Sequence, residues 1–332
     1  MLSITREIIT ITNTPKYWLS WRVLPILWLF YVGNTLACTF SSPTVTLPPN
    51  SSFNVNTLTE SGSGTIAMLC TGTGVSLLAS PVLNATVAST TNTLRLKNSA
   101  GDFIPYTIYS DAGYNNAIAI GSVINYASNS SLLTVTLFQI SANLPIYIRT
   151  GSNNAINVNV SAGTYTDVIN LNWNYNLCAT SIFSLCLGGP FSGTATSTVT
   201  VTLTVSNDCV INSAPNVNFG SYALIAQFAP VNQNISATCT KNATFTTYIT
   251  NGNNFVAPWP RMKLTSGTDY LQYQLYQLYQ GAGIIPWNVT NKRASTATGT
   301  QQLIPYNAVI NTQQAQKTVG TYQDNVSVVL EY

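Results

Sequence analysis

Hydrophobic and polar residues alternate along much of the chain, which is the pattern of β-strands that bury one face. The clearest run is GTATSTVTVTLTVSN at 193–207, in which threonines occupy most of one face. The opposite face carries Ala195, Val199, Val201, Leu203 and Val205. This alternation predicts an amphipathic strand that completes a sheet within the same chain.

The last stretch of the sequence, GTYQDNVSVVLEY at 320–332, repeats the alternation. Its apolar positions are Val326, Val328, Leu330 and Tyr332. No later strand comes after it in the sequence, so the backbone donors and acceptors of this strand need another partner, and we predict that it forms the edge of a groove. The alternative is a tolerated edge strand, protected by its short length and its charge.

An internal repeat divides the chain. The segment GTYTDVINLNWNYNLC at 163–178 shares Gly-Thr-Tyr-x-Asp and a subsequent strand with the last stretch, and residues 92–109 resemble residues 260–276. Each copy also opens with a cysteine and has a second cysteine about thirty residues later. We therefore predict two similar domains in tandem, at 38–207 and 208–332.

The two copies differ after the Gly-Thr-Tyr strand. The first copy continues into the amphipathic strand at 193–207, whereas the second copy has no equivalent segment. We predict that the second domain lacks its last strand and receives one from a neighbouring chain, which is the strand-addition mode of recognition.

Composition supports an all-β fold. Only 6% of the residues are charged, and Thr, Asn, Ser, Val, Ile and Tyr dominate. These residue types favour short strands and polar turns over helices.

Residues 1–37 have the features of an export signal. Basic residues precede the apolar run 23–32, and Thr35 and Ala37 occupy the small-residue positions before a cleavage point. The run is too short to span a bilayer, so no transmembrane segment is expected in the mature chain. After residue 37, nine Lys plus Arg face eight Asp plus Glu, so no nucleic-acid partner is predicted.

An even number of cysteines in an exported chain predicts disulfide bonds. Six cysteines allow 15 pairings in principle. The spacing and the repeat favour local bonds: Cys38 with Cys70, Cys178 with Cys186, and Cys209 with Cys239.

Candidate catalytic chemistry is sparse. The chain contains no histidine, so histidine-dependent triads and imidazole metal sites are excluded. Asp167 and Asp324 occupy equivalent repeat positions, where each is expected to fix a turn or a strand end. Glycine-rich stretches lack the lysine of a phosphate-binding loop. We predict neither an enzyme nor a cofactor or metal.

A family resemblance emerges from residues of the second domain. They are Cys209, NFGSY at 218–222, Cys239, RMKL at 261–264, LQYQLY at 271–276, Trp287 and the final GTYQD and VVLEY. Together they resemble a spore coat protein U domain, the pilin module of archaic, Csu-type chaperone-usher pili. The first domain keeps the later half of this pattern but lacks Asn-Phe-Gly-x-Tyr, and Asn288 stands where the family pattern has glycine after the tryptophan.

The resemblance implies two immunoglobulin-like sandwiches, the second one incomplete. It implies as partners a periplasmic chaperone, an outer-membrane usher and an adjacent pilin that donates a strand. A two-domain subunit of this kind resembles a pilus tip adhesin, which is exported to the cell surface, attaches bacteria to surfaces and starts biofilm formation. Cleavage after Ala37 would leave no N-terminal donor segment, which fits the tip position.

The loop CATSIFSLCLGGPF at 178–191 is unusually apolar for a connection. Strand 193–207 leads directly into the second domain, so this loop should lie at the far pole of the first domain. The predicted surface-binding residues are Ile182, Phe183, Leu185, Leu187 and Phe191. Csu-type tip adhesins resemble this arrangement in their hydrophobic finger loops. The alternative is that these side chains close the end of the core.

Two further segments are secondary surface-binding candidates: 117–124, with Ile118 and Ile120, and 75–83, with Leu77 and Leu78. An alternative function is a lectin-like module, in which Tyr114, Tyr126 or Trp173 would stack on sugar rings. A third possibility is a coat or pilus subunit without an adhesive role.

Overall fold

The computed structural model describes residues 37–72, 75–77, 81–136, 138–151, 160–182, 185–187, 190–278 and 284–332. The predicted export signal lies outside these ranges except for Ala37. In the ranges that are described, no helix has the length and apolar character needed to cross a membrane.

The described part of the chain consists mainly of strands and the turns between them, because short alternating runs are separated by polar residues. Up to residue 206, the described strands are β1 (Cys38–Phe40), β2 (Thr44–Thr46), β3 (Asn50–Ser51), β4 (Ser61–Thr71), β5 (Val75–Leu77), β6 (Val82–Thr90), β7 (Arg95–Lys97), β8 (Phe103–Tyr109), β9 (Ala117–Ile118), β10 (Val123–Asn125), β11 (Leu133–Thr136), β12 (Gln139–Thr150), β13 (Gly163–Leu177), β14 (Thr180–Ile182), β15 (Leu185–Leu187) and β16 (Phe191–Ser206).

The later part of the chain has shorter strands. They are β17 (Cys209–Ser213), β18 (Val231–Cys239), β19 (Thr244–Ile249), β20 (Arg261–Leu264), β21 (Tyr270–Gln277), β22 (Ile285–Pro286), β23 (Arg293–Thr296), β24 (Gln301–Ile310), β25 (Tyr322–Gln323) and β26 (Val328–Glu331). Single 3₁₀ turns occupy Asn54–Asn56, Ser130–Leu132 and Ile225–Gln227.

Strands β1–β16 form the first sandwich. One layer follows the order β1-β4-β12-β8, the other contains β6, β13, β16 and β2, and β7 joins them by pairing with both β8 and β13. Small additional strands extend the layers, with β11 beside β12 and β10 beside β6. A continuous hydrophobic core fills the space between the layers.

The predicted amphipathic strand is β16, which pairs antiparallel with β13 from Gly163–Val205 to Leu177–Phe191. Val199, Val201 and Leu203 are fully buried, whereas the threonines between them remain half-buried. The other edge of β16 pairs in parallel with β2 and β3. The first sandwich is thus closed by its own strand, as predicted.

Strands β17–β26 form the second sandwich, with its own hydrophobic core. Its larger layer has the order β17-β18-β24-β21-β20-β25, and its smaller layer has the order β23-β19-β26. Trp287 lies in this core and donates its indole N–H to the Thr247 carbonyl at 2.8 Å. The structure therefore confirms the predicted all-β fold of two tandem immunoglobulin-like sandwiches.

The disulfide bonds join the six cysteines as the spacing predicts: Cys38 to Cys70, Cys178 to Cys186 and Cys209 to Cys239. In each sandwich, the first bond ties the opening strand to its antiparallel neighbour, β1 to β4 and β17 to β18. The bond between Cys178 and Cys186 instead closes the connection between β13 and β16.

Candidate functional sites

The second sandwich has a free strand edge. Strand β26 pairs with β19 from Thr246–Glu331 to Ile249–Val328, and its other edge pairs with no strand in the described part of the chain. In the first sandwich, the repeat-equivalent strand β13 pairs with β6 on one side and with β16 on the other. The second sandwich thus has no described counterpart of β16, which agrees with the predicted missing strand.

A cleft of about 570 Å³ lies beside this free edge, and we call it the open groove. Val326 and Val328 line one side, Pro215 and Val217 line another, and core residues such as Ile235 are reached at its floor. Pro215 follows Cys209 by six residues, just as Thr44 of β2 follows Cys38. Both neighbours of β16 therefore have counterparts beside the open groove.

The four predicted groove-edge residues lie at this edge with different degrees of exposure. Val328 and Leu330 are half-buried and pack against the core. Val326 and Tyr332 are exposed and lie outside β26, which is shorter than the predicted strand. Among the described strands, β26 pairs only with β19, and it is short because β19 ends at Ile249, opposite Val328.

The repeat-equivalent aspartates have structural roles, as predicted. Asp167 Oδ1 accepts the backbone N–H groups of Asn92 and Val168. Asp324 Oδ1 accepts the equivalent groups of Asn253 and Asn325. Each carboxylate therefore fixes a turn that is distant in sequence, at Asn92 or at Asn253.

The end of the first sandwich farthest from β17 carries exposed apolar side chains. The connections that meet there come after β4, β11 and β13, and β14, β15 and β5 form a small sheet of their own. Leu185 is 42% exposed, Val135 is 47% exposed and Phe138 is 48% exposed. We call Val135, Phe138 and Leu185 the apolar pole.

The predicted surface-binding residues have different placements. Leu185 is exposed, but Phe191 is fully buried, so its assignment to the binding loop is wrong. Phe191 is the first residue of β16 and packs into the core. Ile182, Leu187 and Leu77 lie in the small sheet, where their backbones pair. Phe183 and Leu78 lie outside the described residues.

The remaining candidates flank the side of the first sandwich. Ile118 is half-buried in β9, and Ile120 is exposed in the next turn. Val135 and Phe138 were not among the residues predicted from the sequence, although the composition of their hairpin could have indicated them. Both lie at the hairpin of β11 and β12, with Val135 in β11 and Phe138 in the turn. The residues between the two strands include no glycine, proline or asparagine, which is unusual for a turn.

One lectin candidate is excluded by burial. Trp173 is almost completely buried, stacks on Phe40 at 4.2 Å between ring centroids and donates its indole N–H to Ser197 Oγ. Tyr126 is also buried, while Tyr114 is half-buried. Among the described residues, no group of acidic or sulfur side chains could hold a metal ion.

Residues 32–172 and 195–329 each match the model of the Spore Coat Protein U domain. The chain belongs to this family. No curated protein matches the sequence.

Among solved structures, the chain is similar to one in the CsuC–CsuE chaperone–tip adhesion subunit pre-assembly complex from archaic chaperone-usher Csu pili of Acinetobacter baumannii. The identity is 22% and the TM-score 0.52, over 89% of this chain and 100% of that one. It is more distantly similar to CfaE, the adhesive subunit of CFA/I fimbria of enterotoxigenic Escherichia coli, with 11% identity and a TM-score of 0.36, over 87% and 97% of the two chains. At 22% identity, the similarity of this family member to the chain from the Csu complex is one of fold.

Proposed function

We propose that this Spore Coat Protein U family member is the tip adhesin of an archaic chaperone-usher pilus. The observation that carries the proposal is the open groove beside β26 next to a first sandwich that is closed by β16. A sandwich that lacks one strand can accept an extended segment of another chain, because the main-chain donors and acceptors of the free edge and the alternate side-chain pockets are already in place.

The partners are inferred from this groove. A periplasmic chaperone holds it before assembly, an outer-membrane usher passes the subunit outward, and an adjacent pilin fills the groove with a donor strand. The protein is thereby exported through the periplasm to the cell surface. In the first sandwich, the position that corresponds to the open groove is occupied by β16 of the same chain. We therefore assign the first sandwich the outermost position in the pilus.

The apolar pole supplies the attachment surface in this proposal. Its members are exposed and lie outside the core, with Val135 in β11, Leu185 in β15 and Phe138 in the turn after β11. The Cys178–Cys186 bond restrains the segment that carries Leu185. Full burial of a large apolar side chain contributes about 1.5–3 kcal/mol, and many pili on one cell multiply this contribution. We therefore infer attachment to hydrophobic surfaces and the start of biofilm formation.

Adhesion of piliated cells to polystyrene tests the proposal. Cells carrying Leu185→Ser together with Phe138→Ser should assemble normal pili, seen by electron microscopy, and lose most of their attachment. Leu303→Ser is the matched control, because Leu303 is exposed in β24 of the second sandwich. Full attachment of the double variant would instead leave the chain as a pilus or coat subunit without an adhesive pole.

A further inference from the structure

A second cleft lies on the side of the first sandwich, apart from the open groove and the apolar pole. The segment that connects β8 to β11 folds over the edge of the sandwich and encloses about 480 Å³. This volume lies within the range of about 300–1,000 Å³ that is typical of small-molecule sites. The proposed adhesive function makes no use of this cleft.

The cleft has a fixed charged acceptor in Asp111. Its carboxylate accepts the backbone N–H groups of Asn115 and Asn116, the latter at 2.7 Å. These hydrogen bonds hold the pKa of Asp111 below its ordinary value, so the group stays ionised at neutral pH. Two amide side chains, Asn125 and Asn129, line the same cleft and are exposed.

The same cleft also contains an aromatic ring. Tyr147 lines the cleft, and its ring packs edge-on against Tyr114, with 6.2 Å between centroids. Tyr114 is itself held by Tyr109 and by the guanidinium of Arg149. Within the described residues, the Tyr147 hydroxyl has no hydrogen-bond partner. The hydroxyl of Tyr126 is satisfied by the Pro145 carbonyl at 2.7 Å.

We propose that this cleft binds a neutral saccharide. A sugar ring can place its C–H face on the Tyr147 ring, while its hydroxyl groups donate to Asp111 and exchange hydrogen bonds with Asn125 and Asn129. The described lining residues include no lysine or arginine, so the cleft lacks the cationic partner that an anionic sugar or a phosphate requires. One carboxylate with two amides matches a ligand that offers both donors and acceptors.

Titration of the full chain with maltotriose, cellotriose and triacetylchitotriose tests the proposal, with saturation-transfer NMR as the readout. At least one of these sugars should bind saturably. Tyr147→Phe removes only the hydroxyl and should weaken binding by about tenfold, the effect of one hydrogen bond. Tyr109→Phe is its control, since Tyr109 does not line the cleft.

A blocking variant covers the case in which the hydroxyl is not used. Ala112 is exposed at the cleft, so Ala112→Trp should abolish binding, whereas Ala294→Trp on exposed β23 should not. Absence of saturable binding for all three sugars, or binding that survives Ala112→Trp, would overturn the proposal. Attachment to polystyrene should be unchanged in Ala112→Trp cells, which separates this site from the proposed adhesive function.

Discussion

The hydroxyl of Tyr273 donates a 2.8 Å hydrogen bond to Oδ2 of Asp324. The first sandwich contains the same pair, because Tyr106 donates to Asp167 Oδ2 at 2.9 Å. The surroundings differ: Asp167 is 1% exposed and lies opposite Val201 of β16, whereas Asp324 is half-buried and lines the open groove. A strand in the groove would therefore bury Asp324 as β16 buries Asp167.

This difference predicts unequal effects of two identical substitutions. Tyr106→Phe should destabilise the first sandwich by about 1.5–3 kcal/mol, the usual value of a hydrogen bond to a buried charged group. Tyr273→Phe should cost less in the isolated chain, because water reaches the Asp324 carboxylate. Urea unfolding of the full chain measures both, with Tyr109→Phe as the control. Equal losses would contradict the different exposure of the two carboxylates.

The open groove should accept a peptide copied from β16. In the first sandwich, β16 runs antiparallel to β13 and places Val201 opposite Asp167. By the repeat, a peptide of residues 193–206 should bind antiparallel to β26 with Val201 opposite Asp324. It should raise the unfolding temperature of the second sandwich in calorimetry, since a ligand that binds only the folded state stabilises it.

The control peptide carries serine in place of Val201 and Leu203, which removes two of the buried side chains while the backbone donors remain. It should give little or no increase in unfolding temperature, because alternate apolar pockets decide the fit. Equal stabilisation by both peptides would mean that the groove does not distinguish a peptide with alternating apolar side chains from one without them.

A charged contact links the two sandwiches. Lys241 Nζ lies 2.5 Å from Asp102 Oδ1, and Asp102 Oδ2 accepts the backbone N–H and the hydroxyl of Ser161. Nearby, the hydroxyls of Ser52 and Thr240 are 2.6 Å apart and buried. Partial burial works to raise the pKa of Asp102, but the hydrogen bonds from Lys241 and Ser161 outweigh it and lower the pKa from 3.8.

A lowered pKa in the folded state predicts the direction of a pH effect. The stabilisation from Asp102 is present above its unfolded value of 3.8 and is lost as pH falls through the lower folded value. Asp102→Asn should therefore reduce stability near neutral pH, by about 1 kcal/mol or less for such a partly exposed pair. It should also make the unfolding temperature fall less steeply as the pH is lowered into the acid range. Calorimetry of both proteins over a range of pH measures this change. An acid decrease in unfolding temperature that is the same in Asp102→Asn and the wild type would contradict the prediction.

The disulfide at the apolar pole should matter more for attachment than for folding. Cys178 and Cys186 are 8 residues apart, against 32 for Cys38 and Cys70, and shorter loops contribute less chain entropy. Cys178→Ser with Cys186→Ser should cost less than about 3 kcal/mol yet reduce attachment to polystyrene. Calorimetry and the adhesion assay separate the two effects, and full attachment with the bond removed would refute the role given to it.

Regular alternation made much of the fold predictable from the sequence. The β16 run and the Gly-Thr-Tyr repeat were enough to predict which sandwich is closed and which is open. The same alternation of buried and exposed positions shows why the assignments of Phe191 to the binding loop and of Trp173 to a sugar site were wrong. Phe191 lies an even number of residues before Val199 and shares its buried face, and Trp173 alternates with the asparagines of β13.

The apolar pole was harder to predict, because exposure depends on where a connection runs in three dimensions. Phe138 and Leu185 are far apart in sequence, but Phe138 follows β11 and Leu185 follows β13, and both of these strands end at the same pole. The apolar composition of the loop around Leu185 indicated it as a candidate, whereas the alternation around Val135 is that of an ordinary pair of strands. The cleft around Tyr147 likewise depends on how the segment before it folds over the sheet edge.

Strand β16 also has a mechanical consequence. It runs from the apolar pole to Ser206 and continues, through two residues, into β17 of the second sandwich. A tensile load between an anchored pole and the rest of a fibre would pull β16 along its own axis. Its pairing with β13 extends over fifteen residue pairs. The hydrogen bonds between the two strands lie perpendicular to that pull, so they would be sheared together rather than opened one by one.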